Sequence, residues 1–173
     1  LNPVVNPEWA EYFIVTQHSS DKYNNIQLGM NSRLDTIQAA VLDVKLTAFA
    51  DYELEAVNNA ARMYTERLAG KVITPVVPEG FYSSWAQYTI QLPTREKRDA
   101  VQAALKAQDI PSMIYYPRGM HQQTVFASIH DQQVCDCAVS ADLCSRVLAL
   151  PLSPYITREE QDQVVDAILK EVQ

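Results

Sequence analysis

The chain has 173 residues, of which 47% are hydrophobic and 20% charged, a composition typical of a globular protein with enough residues for a core. Its formal net charge is −7, and no basic stripe is present, which argues against nucleic acid or an anionic membrane surface as a partner. Because no apolar run is long enough to span a bilayer and no hydrophobic leader opens the sequence, we expect a cytoplasmic protein.

Residues 1–33 are predicted to form an entering segment with one strand-like stretch, Tyr12–Val15. The segment ends in a polar turn, where Gly29 allows a sharp change of chain direction. Asn31 and Arg33 then present an amide and a planar guanidinium beside a helix N-terminus, an arrangement that suits a phosphate or a carboxylate. From these residues alone, a solvated arginine beside a capped helix is the alternative interpretation.

Residues 34–69 contain neither glycine nor proline and are predicted to form one long connecting helix, ended by Gly70. Ser32 is the predicted N-cap, accepting from the backbone N–H near Asp35. The helical spacing changes phase after Tyr52, which divides the helix into two halves with differently directed apolar faces. The predicted buried stripes are Leu34, Ile37, Val41, Val44 and Ala48 in the first half, and Val57, Ala61, Tyr64 and Leu68 in the second.

Residues 70–173 are predicted to form a small α+β domain. Thr94 should cap one helix, and Thr157 and Glu160 fit a capping box for the last one. Residues 72–77, interrupted by Pro75, are predicted to be an edge strand or an extended arm. The remaining predictions are strands at 85–92 and 110–116, a helical turn near Val125 and a helix at about 134–148.

Three cysteines lie close together in the C-terminal part: Cys135, Cys137 and Cys144. Their odd number makes a disulfide framework unsuitable and favours a reducing compartment. Cys135, Cys137 and nearby His130 offer three ligands of the types that bind zinc, but the paired spacing of a zinc knuckle is absent. Thiols on a helix are therefore the preferred interpretation, and no metal site is predicted.

A second group of polar side chains follows the predicted strand at 110–116. His121 lies in a loop beside Tyr116, Arg118 and Gln123, where an imidazole could bind a substrate hydroxyl or carboxylate. A solvated or locally bonded histidine is the alternative for such a loop.

Three sequence motifs occur in order along the chain. Residues 29–40 read Gly-Met-Asn-Ser-Arg-Leu-Asp-Thr-Ile-Gln-Ala-Ala, residues 116–123 read Tyr-Pro-Arg-Gly-Met-His-Gln-Gln, and residues 148–152 read Leu-Ala-Leu-Pro-Leu. In order and distance they resemble the DegT/DnrJ/StrS family of nucleotide-sugar aminotransferases, which are pyridoxal-phosphate enzymes of fold type I. The Arg-Gly-Met portion departs from the proline-rich, leucine-containing form of the family.

The resemblance implies an α/β enzyme of which this chain is the C-terminal half. In the family the Schiff-base lysine lies upstream, in a Ser-Phe-x-x-x-Lys type of motif, and nothing similar occurs between Leu1 and Leu28. We therefore expect the catalytic lysine outside this chain and expect the chain alone to be inactive.

The resemblance also implies roles for individual residues. Asn31 would bind the phosphate of pyridoxal 5′-phosphate in a neighbouring subunit, which requires a homodimer with composite sites. Arg33 would bind the carboxylate of the amino donor or an anionic group of the sugar, and His121, Tyr116 and Gln123 would contact substrate. The implied substrates are an amino acid, with glutamate as the expected donor, and a nucleotide-linked keto-sugar. A sugar dehydratase of the same fold and a non-catalytic regulatory or ligand-binding relative are the alternatives.

Overall fold

The computed structural model describes residues 13–15, 27–29, 34–127 and 137–172 of the chain. Within these ranges, six α-helices and four β-strands form an α+β structure with two antiparallel two-stranded sheets. The helices are α1 (Thr36–Ala48), α2 (Leu54–Leu68), α3 (Arg95–Lys106), α4 (Thr124–Ala127), α5 (Ala138–Arg146) and α6 (Arg158–Val172). The strands are β1 (Phe13–Val15), β2 (Gln27–Gly29), β3 (Tyr88–Gln91) and β4 (Val147–Leu150).

The entering segment contains the first sheet. β1 confirms the predicted strand, and it pairs with β2 so that Phe13 lies opposite Gly29. Gly29 is therefore the last residue of a strand, and the turn predicted to follow it lies outside the described residues. Asn31 and Arg33, whose site roles were predicted, lie outside the described residues.

The first helix begins later than predicted. α1 starts at Thr36, and its N-cap is Asp35, whose Oδ1 accepts from the Gln38 N–H at 2.8 Å. The prediction of Ser32 as the cap is therefore wrong. Asp35 has extended backbone angles, as an N-cap requires, and its carboxylate reaches the first turn.

A π-helical turn at Phe49–Glu53 joins α1 to α2, so the helical path continues with one irregular turn. The Leu54 N–H bonds to the Phe49 carbonyl in the wider i→i+5 pattern. Because this pattern inserts a residue, the side-chain faces before and after the turn are rotated relative to each other. The predicted phase change after Tyr52 is thereby confirmed, and Gly70, at φ +71°, follows the end of α2 as predicted.

The two predicted apolar stripes differ in burial. The second is confirmed, since Tyr64 and Leu68 are completely buried. The first is uncovered in this chain, as expected if the surface that buries it belongs to another part of the enzyme: Ile37 is 78% exposed and Val44 79% exposed, and α1 contains no buried residue. The period of a stripe identifies the face that prefers burial, but it does not supply the surface that would cover that face.

The second sheet organises the C-terminal part. β3 pairs with β4 in the register Tyr88 to Leu150 and Gln91 to Val147. One isolated pairing extends the ladder on each side, Ile73 with Gln91 and Met113 with Ala149.

Several predicted element boundaries in this sheet are wrong. The predicted strand at 110–116 is reduced to the single pairing at Met113, and the segment at 72–77, predicted as an edge strand or an extended arm, pairs with the sheet only at Ile73. Each contains a proline, Pro75 or Pro111, which has no N–H to donate to a ladder. Only residues 88–91 of the predicted 85–92 strand are paired in β3, and the end of the predicted helix at 134–148 is the strand β4.

The helix caps of this part are confirmed. Thr94 Oγ1 accepts from the Lys97 N–H at 3.3 Å at the start of α3. At the start of α6, Thr157 Oγ1 accepts from the Glu160 N–H at 3.2 Å, while Glu160 Oε2 accepts from the Thr157 N–H at 2.8 Å. This reciprocal pair is the predicted capping box. The predicted turn near Val125 is α4.

The hydrophobic core lies between the β3–β4 sheet and helices α2, α3 and α6. Two buried polar contacts cross it: Gln161 Nε2 donates to the Ala60 carbonyl at 2.9 Å, and the Tyr64 hydroxyl donates to the Pro151 carbonyl at 3.0 Å. The core residues are Ala61, Tyr64, Leu68, Tyr88, Ile90, Leu92, Val101, Leu105, Leu148, Leu150, Val164, Val165, Ala167 and Ile168. Among the described helices, none combines the length and apolarity needed to cross a membrane.

Two isoleucine variants test this distribution of burial. Ile168→Ala should lower the free energy of unfolding by about 2–5 kcal/mol, because Ile168 is completely buried and its loss leaves a cavity. Ile37→Ala, the matched control, should change it by no more than about 0.5 kcal/mol, because Ile37 is 78% exposed. Urea unfolding of the chain measures both. Equal losses would show that α1 is packed.

Candidate functional site

The predicted substrate loop starts at the edge of the second sheet. Met113 donates to the Ala149 carbonyl at 3.1 Å and accepts from the Ala149 N–H at 2.8 Å. The chain then leaves the sheet and reaches a short 3₁₀ turn, Met120–Gln122, followed by α4. β4 thus determines where the loop begins.

Tyr116 is at the bend of this loop. Its φ is +55°, an uncommon conformation for a residue with a Cβ, and it directly precedes Pro117, a position that favours extended backbone. Its side chain is 67% exposed, whereas Tyr115 is half-buried. Strained backbone is concentrated at functional sites, so this conformation supports a functional role for the loop.

His121 is exposed, and its imidazole lies against Gly119. A Cβ at position 119 would be 2.6 Å from His121 Cε1 and 2.8 Å from Nδ1, closer than nonbonded carbon and nitrogen atoms can approach. The glycine is also bound into the turn, because its N–H donates to Gln122 Oε1 at 3.1 Å and its carbonyl accepts from the Gln122 N–H at 2.9 Å. Gly119 therefore makes room for this orientation of the imidazole.

Gln123 differs from its neighbours because it is only 4% exposed. Its N–H donates to the Met120 carbonyl at 3.1 Å, and its own carbonyl accepts from the Phe126 N–H at 3.0 Å. The residue joins the 3₁₀ turn to α4. In this structure Gln123 lies beneath the loop, while Tyr116 and His121 are on its outer side.

A groove of about 250 Å³ lies where the loop begins. Ser112, Met113 and Tyr115 line one side, and residues 149–152 line another. Neither Tyr116 nor His121 lines this groove. The substrate roles of Tyr116, His121 and Gln123 stay predictions, as do those of Asn31 and Arg33.

The described residues do not make a pyridoxal-phosphate site by themselves. Lys45 donates a hydrogen bond to Glu53, and this bond raises the pKa of the Lys45 ammonium. A Schiff-base lysine must react as a neutral amine, so the raised pKa makes Lys45 unsuitable for that role. Lys97 donates to the Glu171 carbonyl at 2.5 Å, and the other described lysines are exposed: Lys71, Lys106 and Lys170. Lys22 lies outside the described residues, and the expectation that the catalytic lysine lies outside this chain stays a prediction.

No cluster of three possible metal ligands occurs within the described ranges. Cys137, the N-cap of α5, and Cys144, within α5, are free, half-buried thiols. Cys135 and His130 lie outside the described residues.

The chain matches a model of the DegT/DnrJ/EryC1/StrS aminotransferase family over residues 6–169. It is similar to the crystal structure of a DegT/DnrJ/EryC1/StrS aminotransferase from Brucella abortus, with 42% sequence identity and a TM-score of 0.72, covering 89% of this chain and 40% of that one.

Two curated relatives are similar over nearly the same region. The UDP-N-acetyl-3-dehydro-alpha-D-glucosamine 3-aminotransferase of Acidithiobacillus ferrooxidans is 40% identical over 149 residues, which are 86% of this chain and 38% of that protein. A pleiotropic regulatory protein of Geobacillus stearothermophilus is 39% identical over 155 residues, which are 87% of this chain and 40% of that protein. The chain spans about 40% of the length of the proteins it matches.

Gly119→Ala tests the contact between Gly119 and His121. The backbone of residue 119, at φ −64° and ψ 157°, is accessible to alanine, so stability should change by no more than about 0.5 kcal/mol. The added methyl group should displace the imidazole and shift the His121 Hε1–Cε1 signal in a carbon–proton NMR spectrum. The signals of His18 and His130 serve as internal controls. An unmoved His121 signal would contradict the contact.

Proposed function

The chain belongs to the DegT/DnrJ/EryC1/StrS aminotransferase family, as its motifs predicted, and from this membership we propose that it is the C-terminal portion of a nucleotide-sugar aminotransferase. The enzyme would move an amino group from an amino acid, with glutamate as the expected donor, to a keto-sugar carried on a nucleotide. The observation that carries this proposal is the 40% identity with a relative named as a UDP-sugar 3-aminotransferase.

The proposed cofactor is pyridoxal 5′-phosphate, on which aminotransferases of this family depend. When bound, it serves as the electron sink for amino transfer. In the family the Schiff-base lysine lies upstream of the segment that this chain matches, so a part of the enzyme outside this chain would hold the cofactor. This chain would contribute binding groups, with Asn31 directed to the cofactor phosphate.

The remaining predicted residues would bind and orient substrate. Arg33 offers two parallel N–H donors to a carboxylate, and this geometry favours one orientation of the bound anion. Tyr116 and His121 are exposed on one loop, where a hydroxyl and an imidazole can bind polar groups of a sugar. Gln123 would support this loop from beneath, as its burial suggests.

We further propose a homodimer with composite sites. Asn31 would then serve a cofactor bound by the neighbouring subunit. The exposed apolar face of α1 supports the idea that this region is covered in the complete enzyme, because an uncovered apolar face favours association.

Two alternatives stay open. A sugar dehydratase of the same fold would have a histidine in place of the Schiff-base lysine and would eliminate water. A regulatory function is favoured by one observation, the 39% identity with a protein named as a pleiotropic regulator. The residue at the Schiff-base position distinguishes an aminotransferase from a dehydratase, and a measurable turnover distinguishes either from a non-catalytic protein.

The decisive experiment is expression of the intact reading frame that contains this chain. The purified protein is expected to be at least a dimer by sedimentation, to hold stoichiometric cofactor that borohydride fixes to one lysine, and to aminate a nucleotide-linked keto-sugar. The 173-residue chain is the control and should trap no stoichiometric cofactor at low cofactor concentration. Fixation of the cofactor to a lysine of this chain would overturn the proposal, as would an intact protein without turnover.

Arg33→Lys tests the anion-binding role in the same intact enzyme. Lysine keeps the charge but cannot form the bidentate pair, so use of the amino donor or of an acidic sugar should weaken by about 2 kcal/mol, or roughly thirty-fold in kcat/KM. Stability should barely change. Arg62→Lys is the matched control, because Arg62 is exposed on α2 and bonds only locally, to Asn59 at 2.8 Å in the described structure. Unaltered kinetics with both substrates would remove Arg33 from the site.

A further inference from the structure

The groove beside the second sheet is bounded by two prolines at facing positions. Met113 and Ala149 exchange two backbone hydrogen bonds, of 3.1 and 2.8 Å, in an antiparallel pairing. In an antiparallel ladder such bonded pairs recur at every second residue, so the next pair would be Pro111 with Pro151. Neither proline has an N–H to donate, and both line the groove of about 250 Å³. The sequence therefore ends the ladder at the groove.

Two polar side chains of the groove belong to the face of the sheet that is opposite the core. Side chains alternate between the two faces along an extended chain. Tyr88 is completely buried in the core, and Ile114 packs against it. Gln87 precedes Tyr88 and Tyr115 follows Ile114, so both belong to the other face, and both line the groove. The core helices pack on the opposite side and leave this face accessible to a ligand.

The lining of the groove is neutral and partly polar. None of the described residues that line it is charged. In the described part of the chain, no hydrogen bond uses the Gln87 amide or the Tyr115 hydroxyl. An amide and a phenol can donate to and accept from hydroxyl groups, whereas a phosphate would need a cationic partner that this lining lacks. The groove therefore suits a neutral ligand with hydroxyl or amide groups.

The size and position of the groove narrow the choice of ligand. Its volume of about 250 Å³ is below the roughly 300–1,000 Å³ typical of pockets for drug-sized ligands, so it suits one ring and not a whole nucleotide sugar. Tyr115 directly precedes Tyr116, the first residue of the loop that is proposed to contact the sugar. A sugar ring satisfies both conditions.

We propose that the groove is a subsite for the sugar ring of the nucleotide sugar. Gln87 and Tyr115 bind hydroxyl or acylamino groups of the ring and so contribute to the choice of sugar. The diphosphate binds outside the groove, where cationic groups can reach it. This inference rests on the proposed function, because it concerns the sugar substrate of that enzyme.

Gln87→Ala in the intact enzyme tests the subsite, with Gln91→Ala as the matched control. Both glutamines are on the same face of the sheet, but Gln91 does not line the groove. Calorimetry measures the binding of UDP-N-acetylglucosamine and of dTDP-glucose, each beside its free nucleotide. For the nucleotide sugar that the wild type binds, Gln87→Ala should weaken binding about five-fold, as expected for one neutral hydrogen bond. Binding of the free nucleotide should not change, and Gln91→Ala should alter neither affinity.

Tyr115→Phe provides a second variant that removes only a hydroxyl group and keeps the ring. It should also weaken binding of the nucleotide sugar about five-fold and leave the free nucleotide unaffected. Urea unfolding of both variants should match the wild type, because Gln87 is exposed and the phenylalanine preserves the packing of Tyr115. Weaker binding would then not result from loss of folded protein.

Two results would overturn the subsite. One is equal affinity of wild type, Gln87→Ala and Tyr115→Phe for the nucleotide sugar. The other is equal weakening for the nucleotide sugar and the free nucleotide, because the groove would then hold the base. These measurements do not require turnover. A wild-type enzyme that binds neither nucleotide sugar would instead contradict the proposed function itself.

Discussion

The backbone pairing of β4 is the constraint on which the candidate site depends. β4 bonds to β3 along one side and, through Ala149, to Met113 on the other. Tyr116 follows Met113 by only three positions, so the pairing determines where the 116–123 loop leaves the sheet. The same strand directs Leu148 and Leu150 into the core, where they are at most 5% exposed. Core packing and loop placement therefore depend on one four-residue strand.

Local signals in the sequence were sufficient to predict several helix starts. The caps at Thr94 and Thr157 depend on side chains that bond within three residues, so their positions could be recognised without knowledge of the fold. The pairing of β4 could not be recognised in this way. Val147–Leu150 continues an apolar pattern that is compatible with a helix, and it becomes a strand only by bonding to distant residues. The periodicity of α1 shows which face of the helix is apolar, but it does not identify the surface that would cover that face.

The sequence could predict which segments form the candidate site, but not how their side chains are arranged. The motif at 116–123 indicated which loop to examine, and the structure places Tyr116 and His121 on its exposed side. The close contact of His121 with Gly119 depends on a side-chain orientation that the motif does not specify. The glycine was visible only as a departure from the family form.

The bond from Gln161 to the Ala60 carbonyl has a consequence for biosynthesis. It joins residues 101 positions apart, and α6, which supplies Gln161, is the final described helix. During translation, α2 is therefore made long before the helix that completes its packing. Until α6 leaves the ribosome, Tyr64 and Leu68 lack part of their cover, and the nascent chain exposes an incomplete core. Chaperones that recognise exposed apolar segments would have their main opportunity to bind in that interval, which closes only when the last helix docks.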